Sequence, residues 1–291
     1  TTEGSRPYLY GPALRPPFSA SLRTLIQAHG LRADKSLGQH FLISERVISA
    51  TVEAALALGA QTVLEIGPGP GVLTSPLSLA FPHVVAIELD SRMPPILSES
   101  APSVRVLRGD ALELEWAAAL EGLPRPWALV SNMPYQITGP LLAKAQAHVD
   151  DFAGAVLMMQ REVGDRITAP AGDERRGALT VGIESCFAVR SVAQVPPGCF
   201  MPPPRVDSVV LALTPRPDRQ SPAERDNVHA WVKHGFRSPR KTLNNNIRDR
   251  LSALAWDHWL TQTGRDPRIR PRELTLSDWQ AMAQAAETHP Q

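Results

Sequence analysis

From Leu42 to about Thr214, short apolar runs alternate with segments of helical periodicity. The runs lie at residues 62–66, 83–89, 104–107, 127–131 and 152–159 and are apolar without strict alternation. Strands that are apolar on both faces imply a parallel sheet covered by helices on each side. Ahead of the first run, Val47, Ile48, Val52, Ala55 and Leu56 share one helical face, with Ser44 as a cap and Gly59 as a stop. Two late runs, 186–195 and 206–213, flank the proline-rich stretch 196–204. That gap is too short for a crossover helix, so this pair is expected to run antiparallel.

Pro215-Arg216-Pro217-Asp218 breaks the pattern and reads as a linker. Beyond it there is no strand-like run, and helices are expected near residues 223–236, 240–251, 254–261 and 277–286. The expected organisation is a mobile leader at residues 1–30, an α/β domain at 31–215 and a small all-helical domain at 216–291. Residues 1–17 lack the apolar core of a signal peptide. No run of about 18 apolar residues occurs, so no membrane span is expected.

Composition narrows the function classes. Cys186 and Cys199 are the only cysteines, too few for a disulfide framework or a cysteine zinc site, and they suit a reducing cytoplasm. The histidines are scattered and none pairs with acids at ligand spacing, so no metal centre is expected. A net charge of +1 does not announce a polyanion partner, and any nucleic-acid surface must therefore be local.

Chemistry enters at the ends of the apolar runs. Val63-Leu64-Glu65-Ile66 leads into Gly67-Pro68-Gly69-Pro70-Gly71, a turn in which Gly67 and Gly69 permit close backbone approach to a ligand. It is not the dinucleotide fingerprint G-x-G-x-x-G, because Val72 occupies the third glycine position. Glu88 closes the second run, where a carboxylate can accept from both hydroxyls of a ribose. Asp110, after Gly109 at the end of the third, can accept from an adenine amine at the same sheet edge. No Lys or Arg adjoins the glycine turn, so an adenosine ligand without phosphates is preferred, and S-adenosylmethionine fits. The fold expected is a Rossmann-like class I S-adenosylmethionine-dependent methyltransferase sheet, mostly parallel with an antiparallel strand at the end, followed by the helical domain.

The fourth run ends in Asn132-Met133-Pro134-Tyr135. An amide oxygen, carbonyls held by a proline turn and an aromatic ring suit the gripping of a flat, amine-bearing base. Adenine N6 is a poor nucleophile because its lone pair is conjugated into the ring. The Asn132 side-chain oxygen and a carbonyl near Met133 or Pro134 can accept its N–H bonds, favour a pyramidal nitrogen and aim the lone pair at a methyl donor. Catalysis of this kind is placement plus preorganised dipoles, with no dedicated base before attack. Tyr135 is expected to stack on a base taken out of its strand.

These stretches resemble the ribosomal RNA adenine dimethyltransferases, with the small-subunit type the nearer match. The resemblance runs from about Lys35 to Ala286 and is carried by Lys35-Ser36-Leu37-Gly38-Gln39-His40-Phe41-Leu42, the Glu65 to Gly71 turn, Glu88-Leu89-Asp90, Gly109-Asp110-Ala111 and the Asn132 tetrapeptide. It continues in Gln160-Arg161-Glu162-Val163, in Phe200-Met201-Pro202-Pro203-Pro204-Arg205-Val206-Asp207-Ser208 and in Arg240-Lys241-Thr242-Leu243. The resemblance implies that His40 and Leu42 line the methionine end of the cofactor, that Gly67 contacts it, and that Glu88 holds the ribose and Asp110 the adenine. It implies further that Asn132 lies between cofactor and target amine. Phe200 is a candidate second wall opposite Tyr135 or, equally, a core aromatic.

The implied reaction forms N6,N6-dimethyladenosine at two adjacent adenosines in a hairpin loop near the 3′ end of 16S ribosomal RNA, within a preassembled small subunit, and releases S-adenosylhomocysteine. The chain is expected to act as a monomer. Lys233, Arg237, Arg240, Lys241 and Arg248, with Arg250, crowd one stretch and would supply phosphate contacts. Arg161, Arg166, Arg175 and Arg176 are expected to extend that surface. Three departures from the family pattern stand out: His40 replaces an Asn, Arg176 a Tyr and Pro239 an Arg, with Ser238-Pro239 read as a helix cap and first turn. Two alternatives remain open at this point: a large-subunit enzyme conferring macrolide resistance, and an RNA-binding assembly or transcription-associated factor with secondary catalysis.

Overall fold

A computed structural model describes residues 18–33 and 39–290 of the chain. They form two compact units: one runs up to Arg161 and includes Arg190–Thr214, and the other comprises Glu162–Val189 with the residues from Pro215 on. The segment Lys35 to Gly38, part of the family-like stretch above, lies outside the described residues, as does the leader before residue 18.

The first unit begins with helix α1 (Phe18–Ala28) and strand β1 (Phe41–Leu42), followed by α2 (Glu45–Leu56), β2 (Thr62–Ile66), α3 (Thr74–Ala80) and β3 (His83–Glu88). It continues through α4 (Met93–Ser100), β4 (Arg105–Arg108), α5 (Trp116–Ala119), β5 (Trp127–Asn132), α6 (Thr138–Ala147) and β6 (Phe152–Gln160). In chain order α7 (Arg161–Ile167) and α8 (Ala178–Cys186) follow, which from Glu162 on lie in the second unit, and the sheet is then completed by β7 (Phe187–Val195) and β9 (Ser208–Pro215), with β8 (Phe200–Met201) between them in the chain.

The main sheet has the order β4-β3-β2-β5-β6-β9-β7, and β1 pairs with β8 in a small sheet of its own. β2, β3, β4, β5 and β6 run parallel to one another, whereas β9 is antiparallel to β6. β2 is buried at every position, and β5 at all but its last, as unbroken apolar runs require in a sheet covered on both faces. Register then decides where the chemistry sits. Ile66 pairs with Ile87 on one side and Ser131 on the other, so the three strands end level. The glycine turn, Glu88 and Asn132 therefore follow one another along a single edge, at the carboxyl ends where open α/β sheets bind ligands.

Two expectations near the N-terminus are corrected. Part of the supposed mobile leader is α1, and Ile26 and Leu31, each under a tenth exposed, join the core of the unit. On α2 the buried positions are Val47, Ile48, Thr51, Val52, Ala54 and Ala55, while Leu56 turns outward at 38% exposure. Gly59, with φ 74°, ends the segment as read.

The second unit adds α9 (Pro222–Gly235), α10 (Leu243–Ile247), α11 (Ala253–Thr263) and α12 (Leu276–Thr288) to α7 and α8. Its core joins Val181 of α8 to Val228, Leu243, Trp259, Trp279 and Met282. Residues 162–189, which the linear pattern grouped with the α/β domain, thus cluster with the C-terminal helices. Helix starts are capped by side chains: Ser221 accepts from Glu224 N–H, Thr242 from Asn245, Ser252 from Ala255 and Thr275 from Asp278. The helix expected from residue 240 begins instead at Leu243, with Thr242 and not Ser238 as its cap.

Candidate active site

The sheet edge opens into a cleft lined by residues 39–42, the glycine turn, Glu88-Leu89-Asp90, Gly109-Asp110-Ala111 and residues 132–137. Its lining carries four acids (Glu65, Glu88, Asp90 and Asp110) and no Lys or Arg. Arg92, outside the lining, pairs with Asp90, so the lining offers carboxylate acceptors and no cation that would hold a phosphate, which suits a phosphate-free ligand. Gly67 and Gly69 take φ values of 68° and 55°, which side chains with a Cβ rarely adopt. A Cβ on Gly67 would stand 3.6 Å from Pro134 Cγ, so the glycine turn and the tetrapeptide are direct neighbours.

Glu88 is 6% exposed, and its carboxylate accepts from the backbone N–H groups of Gly69 at 3.0 Å and Asp90 at 2.8 Å. Burial raises its pKa, and those amide bonds oppose the rise. The carboxylate thereby braces the glycine turn as well as facing the cleft. Beside it Leu89 is 56% exposed, an apolar surface for a planar ring that the sequence reading did not single out. Asp110 accepts from Leu112 N–H at 2.8 Å, an Asx turn that fixes its carboxylate at the head of its loop.

Glu65 is the other residue missed. It is 1% exposed, one of its carboxyl oxygens has no partner, and burial pushes its pKa up to about 8. In the sequence it looked like one polar interruption of an apolar strand; only the lining of the cleft identifies it as a site residue.

On the opposite wall, Asn132 ends β5 half-buried. Ser131 donates to the Ile66 carbonyl at 2.7 Å and Met133 N–H to the Met158 carbonyl at 3.0 Å, which anchors the tetrapeptide on both sides. The Pro134 carbonyl is engaged by Ile137 N–H at 3.1 Å and the Thr138 hydroxyl at 3.3 Å. Tyr135 hydroxyl and Ser208 hydroxyl are 2.6 Å apart, and burial raises the tyrosine pKa, so the ring stays a neutral phenol. His40 stacks obliquely on Tyr135, with ring centroids 5.9 Å apart at 29°. Its Nδ1 donates to the Pro202 carbonyl at 2.8 Å, which fixes the orientation of the ring.

Leu42 lines the cleft although it is fully buried. Phe200 does not line it: at 3% exposure it sits in the core, paired with Leu42 across the small sheet. Of its two expected roles, the core aromatic is the one the structure supports.

In the second unit Lys233, Arg237, Arg240, Lys241 and Arg248 are all exposed. Arg237 pairs weakly with Asp249 at 3.4 Å and donates to the Asn246 carbonyl at 3.2 Å. Burial first, then the charges of Arg250 and Arg237, lower the His234 pKa, which registers the local positive potential. The buried Asn246 amide holds the loop that carries Arg240 and Lys241: its oxygen accepts from Ser238 N–H, and its nitrogen donates to the Ser238 and Thr242 carbonyls. Arg176 is corrected from surface residue to buried tie, donating to the Leu274 and Ala169 carbonyls and pairing with Glu184 at 2.6 Å. Arg175 is partly neutralised by Asp173 and Asp165. In the first unit Arg161 faces Asp207 at 3.5 Å.

Among the described residues no cluster of metal-ligating side chains occurs, and no helix is long and apolar enough to cross a membrane. The family model for ribosomal RNA adenine dimethylase matches residues 30–266. A ribosomal RNA small subunit methyltransferase A from Phenylobacterium zucineum is 38% identical over 268 residues, covering 91% of this chain and 92% of its own. The protein of that name from Deinococcus radiodurans is 38% identical over 269 residues, covering 91% and 90%. A crystal structure of a dimethyladenosine transferase from Plasmodium falciparum superposes with a TM-score of 0.68 at 26% identity, over 86% of this chain and 98% of that one. The 23S rRNA methyltransferase ErmE shares the fold, with a TM-score of 0.64 at 24% identity over 85% and 99%. With an acid-lined cleft at the sheet edge and the Asn132 tetrapeptide on its far wall, this chain belongs to the ribosomal RNA adenine dimethylase family.

Proposed function

We propose that this chain dimethylates the N6 amines of two adjacent adenosines in a hairpin loop near the 3′ end of 16S ribosomal RNA, in a preassembled small subunit, as a late step of ribosome biogenesis in the cytoplasm. The observation that carries the reading is a cleft in which the carboxylates of Glu88 and Asp110, at successive strand ends, share the lining with the Asn132 tetrapeptide. The small-subunit target rests on relatives that bear that name and are 34–38% identical over about nine-tenths of this chain. The enzyme acts as a monomer.

The cleft residues fit S-adenosylmethionine, which when bound supplies an electrophilic methyl group on a sulfonium. Glu88 accepts from its ribose hydroxyls with the oxygen lone pairs not used by Gly69 and Asp90. Asp110 accepts from the adenine amine, and Leu89 covers the ring. Gly67 and Gly69 allow the backbone close approach, while His40 and Leu42 line the methionine end.

On the target side, the Asn132 side-chain oxygen accepts one N6 hydrogen. The Pro134 carbonyl is already occupied twice, so the Met133 carbonyl is the second acceptor. Two acceptors draw the amine towards a pyramidal geometry, and Pro134 holds their spacing. Tyr135, a neutral phenol held by Ser208, stacks on the extruded base and does not act as a proton acceptor. Positive charge grows on N6 only during transfer, so its proton leaves to solvent afterwards. The exposed Lys233, Arg237, Arg240, Lys241 and Arg248 contact phosphates and contribute affinity without sequence readout.

Incubation with labelled S-adenosylmethionine and unmethylated small subunits, large subunits or free RNA tests the target. Label is expected in 16S RNA of the small subunit as dimethyladenosine, and label confined to large-subunit RNA would overturn the assignment. Asn132→Ala is expected to lower kcat by at least about a hundredfold, the scale of losing a preorganised acceptor. Cofactor affinity should stay within about threefold by titration calorimetry, because the change is less than one hydrogen bond.

A further inference from the structure

Lys144 has no role in the chemistry above, yet it is one of the most completely bonded side chains near the cleft. It lies on α6, which follows the Asn132 tetrapeptide after one 3-10 turn at Tyr135–Ile137. Its ammonium donates to three carbonyls: Ala111 at 3.1 Å, Leu112 at 2.9 Å and Leu114 at 2.6 Å. An ammonium has three donors, so this set uses all of them. The same nitrogen stands 5.1 Å from the centroid of the Trp116 ring, whose Nε1 donates to the Ala111 carbonyl at 2.9 Å.

The gripped carbonyls belong to the loop headed by Asp110. Within it Leu112 N–H donates to the Asp110 carboxylate, and Glu113 and Leu114 N–H donate to the Asp110 carbonyl at 3.1 and 2.9 Å. The amides of this turn thus point back at Asp110 while its carbonyls converge on one point. Three converging carbonyl dipoles beside a carboxylate repel one another unless a cation occupies the point of convergence. Lys144 is that cation, and it reaches the loop from the helix attached to the target-amine motif. Its ion-dipole contacts are half-buried and are screened less than surface pairs.

We propose that Lys144 is a positioning residue: by clamping the carbonyls of Ala111, Leu112 and Leu114 it keeps Asp110 aimed into the cleft, and so sets recognition of the cofactor's adenine amine. The inference rests on the proposed role of Asp110 as acceptor for that amine. The clamp acts on cofactor affinity and leaves the transfer step itself to Asn132.

The test compares binding of S-adenosylhomocysteine with that of its analogue lacking the 6-amino group, by titration calorimetry, for the native protein, Asp110→Ala and Lys144→Met. The native protein is expected to prefer the 6-amino form by about tenfold, the scale of one hydrogen bond to a carboxylate. Both variants are expected to reduce that preference to about twofold or less. Lys144→Met should also raise KM for S-adenosylmethionine with kcat at saturation within about twofold. Preference lost in Asp110→Ala but intact in Lys144→Met overturns the clamp and leaves the Asp110 role standing. Preference intact in Asp110→Ala overturns that role and the clamp with it. Should Lys144→Met fail to fold, Lys144→Arg and Lys144→Gln replace it. The arginine retains a cation and should keep more of the preference than the glutamine; equal preference in the two overturns the inference. A merely structural lysine would weaken both ligands alike, so the preference ratio is the deciding quantity.

Discussion

At the residue scale, the cleft contains a carboxyl group whose protonation is tied to stability. Burial raises the Glu65 pKa to about 8 from 4.5, and repulsion by Glu88 adds to the rise. Between those values the folded protein holds a proton that the unfolded chain has released, so stability falls as pH rises from about 4.5 to about 8 and levels off above. Glu65→Gln removes this dependence. The melting temperature of the variant relative to the native protein should therefore climb through that window and stay constant beyond it. A difference independent of pH would show that Glu65 is ionised in the folded state. Asp90 behaves in the opposite sense: hydrogen bonds from Arg92 hold its pKa at about 2, so its contribution is present above pH 3.8 and is lost as pH falls through about 2.

At the element scale, the loop before α10 shows how local chemistry was redirected. Ser238-Pro239 has the residue types of a helix start, yet the helix begins at Leu243 under the Thr242 cap. The reason is Asn246, whose amide takes both the N–H and the carbonyl of Ser238 and draws the chain into a loop. Arg240 and Lys241 are then carried on a braced loop and not on a helix N-terminus. Thr242→Ala should cost about 1 kcal/mol of stability in denaturant melts, the usual worth of an N-cap. Ser238→Ala, which keeps the backbone bonds to Asn246, should cost less than half of that. A larger loss from Ser238→Ala would restore the helix start at residue 238.

At the scale of the whole molecule, a chain of net charge +1 has no general attraction for RNA, so its affinity must come from local clusters. Arg240→Ala combined with Lys241→Ala should weaken binding to small subunits and flatten the salt dependence of log K by roughly 1.5, at ~0.7–0.9 per phosphate contact. An unchanged slope would mean that these side chains touch no phosphate. The division into two units bears on the same point. Residues 162–189 cluster with the C-terminal helices, and Arg176, buried at 5% exposure, ties Ala169, Glu184 and Leu274 within that unit. The basic stretch is thus set in a unit with its own core, including Trp259 and Trp279.

The apolar runs by themselves determined the parallel sheet and its strands, because burial on both faces leaves an unbroken pattern in one dimension. Acids and an amide at run ends were enough to mark Glu88, Asp110 and Asn132, since the ends of parallel strands share one edge whatever the strand order. Tertiary structure alone decided the strand order, the contact of Gly67 with Pro134, the buried position of Phe200, the orphaned oxygen of Glu65 and the clamp of Lys144. Each of these joins residues distant in the chain, so it depends on which surfaces meet. Arg176 makes the physical point: its charge suggested solvent, but two carbonyls and a carboxylate brought together by folding solvate it inside the protein. A sequence displays the groups available for such bonds, and only packing selects the partners that replace water.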